Sequence, residues 1–280
     1  MQLGIFSNVV GGESPEEVAA KTRAYGLEAV QFIPAASGIG FGFDKPALGD
    51  DFPRWAAAYR AEGVEIAGVG GYMNLLHPNP DKRARTVETF KDFLRRMRPQ
   101  LGTRLISTET GTYATTSDWD SDPRNRTSDA WDGLRAVTED LVRVAEQEDV
   151  VILYEPYIVN IAHTPELAAR IVRETNSPHL RLLMDPTNWF EADMLDRVTQ
   201  TIEHGFAVER GLFELAHAKD VTHPTGNPQK PDLPAAGMGV LDYTTYVRLL
   251  REHGYDGALI IEHLTEPQIP ETIAYVEQFL

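Results

Sequence analysis

The fold turns on residues 150–186, which read Val150-Val151-Ile152-Leu153-Tyr154-Glu155-Pro156, then Thr164-Pro165-Glu166, then Leu180-Arg181-Leu182-Leu183-Met184-Asp185-Pro186. Each flanking segment is a short apolar run closed by a carboxylate and a proline. The middle segment is a helix start, with Thr in the N-cap position and Pro at the first helical position. Strand, helix and strand in that order predict a βα unit and a parallel sheet.

Outward from this stretch the same unit recurs. The runs expected as strands are Leu3–Phe6, Ala29–Ile33, Glu65–Val69, Arg104–Ser107, Val150–Glu155, Leu180–Asp185, Leu212–Lys219 and Ala258–Glu262. The helices between them carry readable ends. Ser14-Pro15-Glu16-Glu17 combines an N-cap with a capping-box Glu, and Pro270-Glu271-Thr272 is a further start. Gly26, Gly63, Gly102, Gly205 and Gly254 each follow an amphipathic stretch and are expected to stop it. Eight such units close a (β/α)8 TIM barrel, expected here as a single domain over residues 1–280 with no linker or shift in composition. A doubly wound open sheet would need a Gly-rich phosphate turn after its first strand. Ser7-Asn8-Val9-Val10-Gly11-Gly12-Glu13 lacks that spacing. Ser37-Gly38-Ile39-Gly40-Phe41-Gly42 alternates as G-x-G-x-G, and the Phe43-Asp44-Lys45-Pro46 that follows does not open a helix, so it reads as a βα loop.

Composition narrows the function. The chain has 280 residues, 26 Lys+Arg against 42 Asp+Glu, a formal net charge of −16 and no cysteine. Disulfides, thiolate-bound metals and a thiol nucleophile are excluded, so any metal must sit on His, Asp, Glu or carbonyl oxygen. The acidic balance repels phosphate backbones and anionic membranes, which disfavours a nucleic-acid or membrane partner. No apolar stretch approaches the ~20 residues of a membrane span, and the N-terminus enters an apolar run without a basic leader, so the cytoplasm is the expected location.

In a barrel of this kind chemistry gathers at the C-terminal ends of the strands. Four successive runs place a polar group there: Glu155, Asp185, His217 and Glu262. Side chains alternate along a strand, so each shares a face with an apolar residue two positions earlier, Leu153, Leu183, Leu215 and Ile260. A lone carboxylate at a strand end is most often a solvated loop acid, and a lone His most often a structural one. Four in register on consecutive strands are hard to explain in that way. Three carboxylates at one mouth repel unless a cation sits between them. Oxygen-rich ligation with one nitrogen suits one divalent ion, Mn²⁺ or Mg²⁺ first, with Co²⁺ or Zn²⁺ as alternatives.

The local texts Tyr154-Glu155, Met184-Asp185-Pro186-Thr187-Asn188, His217-Ala218-Lys219-Asp220, Gly254-Tyr255-Asp256-Gly257 leading to Ile261-Glu262, and Gly237-Met238-Gly239-Val240-Leu241-Asp242 resemble the xylose-isomerase-like TIM barrels of the sugar phosphate isomerase/epimerase superfamily. The resemblance implies a metal on Glu155, Asp185, His217 and Glu262 that binds two adjacent oxygens of a hydroxy-ketone. It also implies Glu155 and Glu262 as the catalytic pair, one taking a proton while an enediolate is stabilised and the other returning it. The implied activity is isomerisation or epimerisation of a small sugar or sugar-like ketone, with loss of a β-hydroxyl in a dehydratase as the alternative. The implied partner is a small carbohydrate or keto-polyol. Members often have His three residues after the strand-six Asp, where Asn188 stands here. They tend to place Arg six residues beyond the strand-seven His, where this chain has His223. Ketohexose 3-epimerases usually carry a second Glu where this chain has Ile161. These departures turn the expectation from a ketohexose 3-epimerase toward a related sugar, a polyol-derived ketone or a dehydratase substrate.

Asn188, Lys219, His223, Asn74 and Glu109 are the candidate substrate-binding residues. Lys219 falls on the His217 face, where it either neutralises an enolate or pairs with an acid. Glu109 follows strand four, and Asn74 follows strand three in a segment that turn chemistry alone also explains. His163 and His263 lie beside the inward face and read as structural. Residues 109–129 and 221–240 are long enough to lie over the mouth or to meet a second subunit in a homo-oligomer. An AP endonuclease on the same fold predicts a His-rich zinc site and a basic groove, and only His217 stands on a ligand position. A sugar-binding protein with a vestigial site is the non-enzymatic reading, against which all four ligand types are present.

Overall fold

Each apolar run becomes a strand because only a neighbouring strand can satisfy its buried backbone, and the parallel order closes on itself. A computed structural model describes residues 1–35 and 49–280, so the Ser37–Gly42 reading lies outside the described residues. Eight parallel strands form a closed barrel in chain order. They are β1 (Gln2–Phe6), β2 (Ala29–Phe32), β3 (Glu65–Gly70), β4 (Leu105–Glu109), β5 (Val151–Glu155), β6 (Leu180–Met184), β7 (Phe213–Ala218) and β8 (Ala258–Ile261). Closure is made by β1 on β8, Leu3 opposite Leu259 and Ile5 opposite Ile261. The outer ring is α1 (Pro15–Ala24), α2 (Phe52–Ala61), α3 (Pro80–Arg96), α4 (Ser128–Glu148), α5 (Pro165–Thr175), α6 (Val198–Val208), α7 (Tyr243–Glu252) and α8 (Ile269–Val276). The expected single-domain TIM barrel is therefore the fold observed.

The helix starts follow the side chains that were expected to make them. Ser14 Oγ accepts from Glu17 N and Thr164 Oγ1 from Leu167 N, each satisfying an orphan donor of the first turn. One helix stop is corrected. Gly205 lies inside α6, which continues to Val208, and the turn comes at Gly211 with φ +71°. The absent Cβ at Gly205 leaves room for the Trp189 ring, against which a methyl would collide. The glycine serves close packing, and an amphipathic pattern alone does not separate that from a C-cap.

Strand ends shift slightly and with consequence. β4 runs two residues beyond its expected end, so Glu109 is in the sheet directly opposite Glu155. Conversely, Asp185, Lys219 and Glu262 stand just past the last paired residues of β6, β7 and β8. Inside the barrel the lower layer is apolar: Ile260 Cδ1 fills the space left at Gly4, and Leu215 reaches toward Gly68. One layer up, Phe6, Gln31, Ser107, Glu155 and His217 replace it, and the interior becomes polar toward the C-terminal mouth.

Candidate metal centre and active-site cavity

α7 packs on the outside of β7 and fixes the strand that carries the nitrogen ligand. Tyr246 Oη donates to the carbonyl of His217 at 2.7 Å, and Tyr243 Oη to that of Lys219 at 2.8 Å. Beyond Lys219, Asp220 organises the loop leading to α7. Its Oδ1 accepts from Val221 N and Leu241 N, and its Oδ2 from Gly237 N. A Cβ at Gly239 would strike the Val221 carbonyl and Asp220 itself, so that glycine belongs to the loop's packing. Asp242 then caps α7 through Thr245 N. The Gly237–Asp242 text thus shapes a loop.

Glu155, Asp185, His217 and Glu262 each offer one donor atom, and these atoms lie within 4.8 Å of one another. All four residues are buried. His217 Nδ1 is 3.1 Å from Glu262 Oε1, 3.5 Å from Asp185 Oδ2 and 3.7 Å from Glu155 Oε1. Neither His217 Nδ1 nor Asp185 Oδ2 has a hydrogen-bond partner. Asp185 Oδ2 still has the Lys219 ammonium beside it as an ion partner, whereas His217 Nδ1 faces three carboxylates, a setting that fits a cation. The opposite atoms of both residues are engaged. Asp185 Oδ1 accepts from Thr187 N and Oγ1, closing the short turn Pro186–Trp189. His217 Nε2 lies 2.7 Å from Gln31 Oε1, which can only accept, so the proton is on Nε2 and Nδ1 offers its lone pair when the ring is neutral.

Lys219 joins the cluster. Its Nζ donates to Glu262 Oε1 at 2.5 Å, lies 2.5 Å from Asp185 Oδ2 without the alignment of a hydrogen bond, and is 3.8 Å from Glu155 Oε1. Burial pulls its pKa down, but the surrounding Asp185, Glu262 and Glu155 carboxylates hold it well above the ordinary lysine value. Burial would raise the Asp185 and Glu262 carboxyls, yet Lys219 and His217 hold both below the usual range, Glu262 at about 2. The same carboxylates outweigh burial at His217 and favour its imidazolium when no cation is present.

The other expected site residues divide. Asn188, in the turn that Asp185 caps, donates to Glu155 Oε1 at 2.6 Å. Glu109 lies in the same cavity and accepts from Asn160 Nδ2 at 2.6 Å; burial, reinforced by the Glu155 charge, raises its pKa to about 8. Asn74 lies away from the cavity lining, its amide spent on tying two loops together: Oδ1 accepts from Leu76 N and Thr112 N, and Nδ2 donates to the Thr112 carbonyl. His223 is exposed on the loop after β7 and does not line the cavity.

Three residues enter that sequence reading did not single out. Tyr72, just past β3, donates to Glu155 Oε2 at 2.7 Å, Asn160 holds Glu109, and Gln31 orients His217. The inward register of β2 was a signal for Gln31; the loop residues Tyr72 and Asn160 had none. His263 also lines the cavity, correcting its placement beside the inward face, and its Nδ1 lies 2.9 Å from the Leu233 carbonyl. Its φ of +56° breaks the strand alternation from which that reading was made. The cavity has a volume of about 290 Å³ and opens between Glu155 and Glu262, with Trp119, Lys230 and Leu233 from the long loops over it.

A parallel barrel with a buried mixed carboxylate–histidine cluster at its mouth defines the class of protein. The pattern of the xylose isomerase-like TIM barrel family matches residues 19–279, and the chain belongs to that family. Among solved structures it is similar to the 3-keto-D-glucoside 4-epimerase YcjR of E. coli, at 17% identity over 99% of both chains with a TM-score of 0.72. A D-tagatose 3-epimerase-like protein gives 18% identity over 100% of this chain and 97% of the other, TM-score 0.74. The probable 3-DHS dehydratase AsbF from Bacillus anthracis gives 13% identity over 99% and 98%, TM-score 0.72. No curated protein matches. At these identities the structures share the fold, and their activities differ. Among the described residues no helix is long and apolar enough to cross a membrane.

Proposed function

We propose that this chain, acting as one unit over residues 1–280, is a divalent-metal-dependent isomerase or epimerase of a small sugar or sugar-like ketone. The observation that carries this reading is the convergence of Glu155, Asp185, His217 and Glu262, whose donor atoms lie within 4.8 Å of one another beside a cavity that Glu155 and Glu262 line. These four residues would hold the ion, with Mn²⁺ or Mg²⁺ suited to the oxygen-rich set. Once bound, it supplies Lewis-acid stabilisation of negative charge on a substrate oxygen. Glu155, held by Tyr72 Oη and Asn188 Nδ2, removes the proton beside the ketone. Glu262, ionised and bonded to Lys219, relays a proton from the Lys219 ammonium to carbon, and the proton that Glu155 took returns to Lys219 to reset the site. Return to the opposite face of the same carbon is epimerisation; return to the neighbouring carbon is isomerisation.

Glu109 favours a second reading. A carboxyl in the cavity with a pKa of about 8 is protonated at neutral pH and can donate to a departing hydroxyl, which makes a dehydratase of the same enolate chemistry. The test is ¹H NMR in D₂O with Mn²⁺ and a panel of D-tagatose, D-psicose, L-ribulose and a 3-keto-D-glucoside. Deuterium entering next to the ketone without loss of water is expected, and a new enone absorbance instead selects the dehydratase. Glu155→Gln and Glu262→Gln should each abolish exchange while keeping the fold. Full activity in either sinks the two-carboxylate scheme.

A further inference from the structure

A second cavity of about 480 Å³ adjoins the one that Glu155 and Glu262 line. It is enclosed by the loops that follow four consecutive strands: Trp119 and Arg126 come from the loop after β4, residues 158–159 from that after β5, Glu191 and Asp193 from that after β6, and Gln229 and Lys230 from that after β7. Trp119 and Lys230 line both cavities, so the two are neighbouring chambers sharing one indole and one ammonium. The partition is held in place. Lys230 Nζ donates to the Trp119 carbonyl at 3.3 Å and lies 5.2 Å from the centre of the Tyr157 ring. Arg126 donates to the Ile158 carbonyl at 3.1 Å, joining two of the loops that wall the outer chamber.

The outer chamber combines an indole with cations, carboxylates and the carboxamides of Asn227 and Gln229. A polyhydroxylated ring matches that set, because its C–H face packs on an aromatic while its hydroxyls both donate and accept. An acyl chain would bury the acids and the amides without partners, and a phosphate would face Glu191 and Asp193 as well as the cations. The inner chamber is at the small end of ligand pockets and suits a single ring. We infer that the substrate carries two rings: a keto-sugar ring between Glu155 and Glu262, joined through a glycosidic oxygen to a second polyol ring in the outer chamber. The inference rests on the ketose reading above for what happens in the inner chamber.

Calorimetric titration of the full chain with unoxidised sugars tests it without requiring turnover. The probes are methyl α- and β-D-glucopyranoside against maltose, cellobiose, sucrose and trehalose, all with Mn²⁺ present. At least one disaccharide is expected to bind about tenfold more tightly than the methyl glycosides. Ala192→Trp, which fills the outer chamber away from the cluster, should erase that gain and leave methyl glycoside binding unchanged. Gln229→Ala, at an exposed loop position, should weaken disaccharide binding alone and serves if the bulkier variant does not fold. Equal affinities, a gain that survives both variants, or no binding of any sugar overturns the two-ring site. A disaccharide preference that stands while no ketose exchanges deuterium overturns the ketose chemistry instead and leaves the two-ring site intact.

Discussion

Gln31→Leu removes the acceptor of the His217 Nε2 proton, a bond of 2.7 Å inside the barrel where both residues are buried. An unsatisfied buried donor costs about 1–3 kcal/mol. A cation-free ring escapes part of that cost by turning, or by moving its proton to Nδ1 and pairing with Glu262 Oε1 at 3.1 Å. A ring that gives its Nδ1 lone pair to a cation has no such freedom, since Nε2–H must then point at the new apolar side chain. The difference falls on the bound state, so Mn²⁺ and Co²⁺ affinity should drop about tenfold to a hundredfold. Gln31→Glu keeps an acceptor for Nε2–H and adds negative charge beside the cluster, so affinity should not fall below that of the parent. The assay is calorimetric titration of chelator-stripped protein, with circular dichroism confirming that each variant folds. Parent-like affinity in Gln31→Leu refutes the reasoning. So does an equal loss in Gln31→Glu, because Gln31 would then act through its donations to Ser107 Oγ and Tyr72 Oη.

Glu109 should make stability fall with rising pH. Its folded pKa of about 8 lies above the ordinary 4.5, so the native state keeps a proton that the unfolded chain has lost. The penalty is absent below the unfolded value, grows as pH rises, and is complete above about 8, where it is of the order of a few kcal/mol. In chelator-treated protein, Glu109→Gln should therefore raise the thermal midpoint more at alkaline than at mildly acidic pH; parallel pH profiles for variant and parent would show that the carboxyl is not so held. Gly205→Ala should destabilise, because overpacking against Trp189 costs about 1–3 kcal/mol and outweighs the roughly 1 kcal/mol gained in helix propensity. Denaturant unfolding measures it, and a net stabilisation would contradict the packing role of that glycine.

The parts of the site that could be read from the chain are those tied to strand periodicity. Glu155, Asp185, His217 and Glu262 terminate apolar runs, and alternation alone turns them inward with Leu153, Leu183, Leu215 and Ile260. Gln31 obeys the same rule, inward with Ala29 on β2, but a single amide in a four-residue strand announces no chemistry until His217 is opposite it. Tyr72 and Asn160 stand in loops, where no period relates sequence position to direction; Tyr72 reaches Glu155 from the end of β3, and Asn160 reaches Glu109 on the strand next to its own. The extension of β4 through Thr108 and Glu109 comes from pairing with β5, a tertiary effect that overrides the polar character of those residues. Asn74 shows the converse. Its place after a strand made it a substrate candidate, whereas four hydrogen bonds commit it to the loops around it.

Charge accounting connects Lys219 to the ion the cluster fits. Glu155, Asp185 and Glu262 bring three negative charges into a buried space, and the Lys219 ammonium within reach of all three cancels one. With His217 neutral and protonated at Nε2, two negative charges are left over, which a divalent cation balances and a monovalent one does not. Without any cation the nearest remedy is a second proton on His217, consistent with its raised pKa, and this still leaves one charge uncompensated. Proton and metal therefore compete for the same Nδ1, so affinity for the ion should weaken as pH falls. The strand geometry explains how one element provides both parts: His217 and Lys219 are two residues apart, hence on one face of β7 and its extension, and the Tyr246 and Tyr243 hydroxyls anchor their carbonyls from α7. A lysine placed there lowers the charge that the ion must neutralise and leaves an ammonium beside Glu262, where the proposed chemistry needs a proton source.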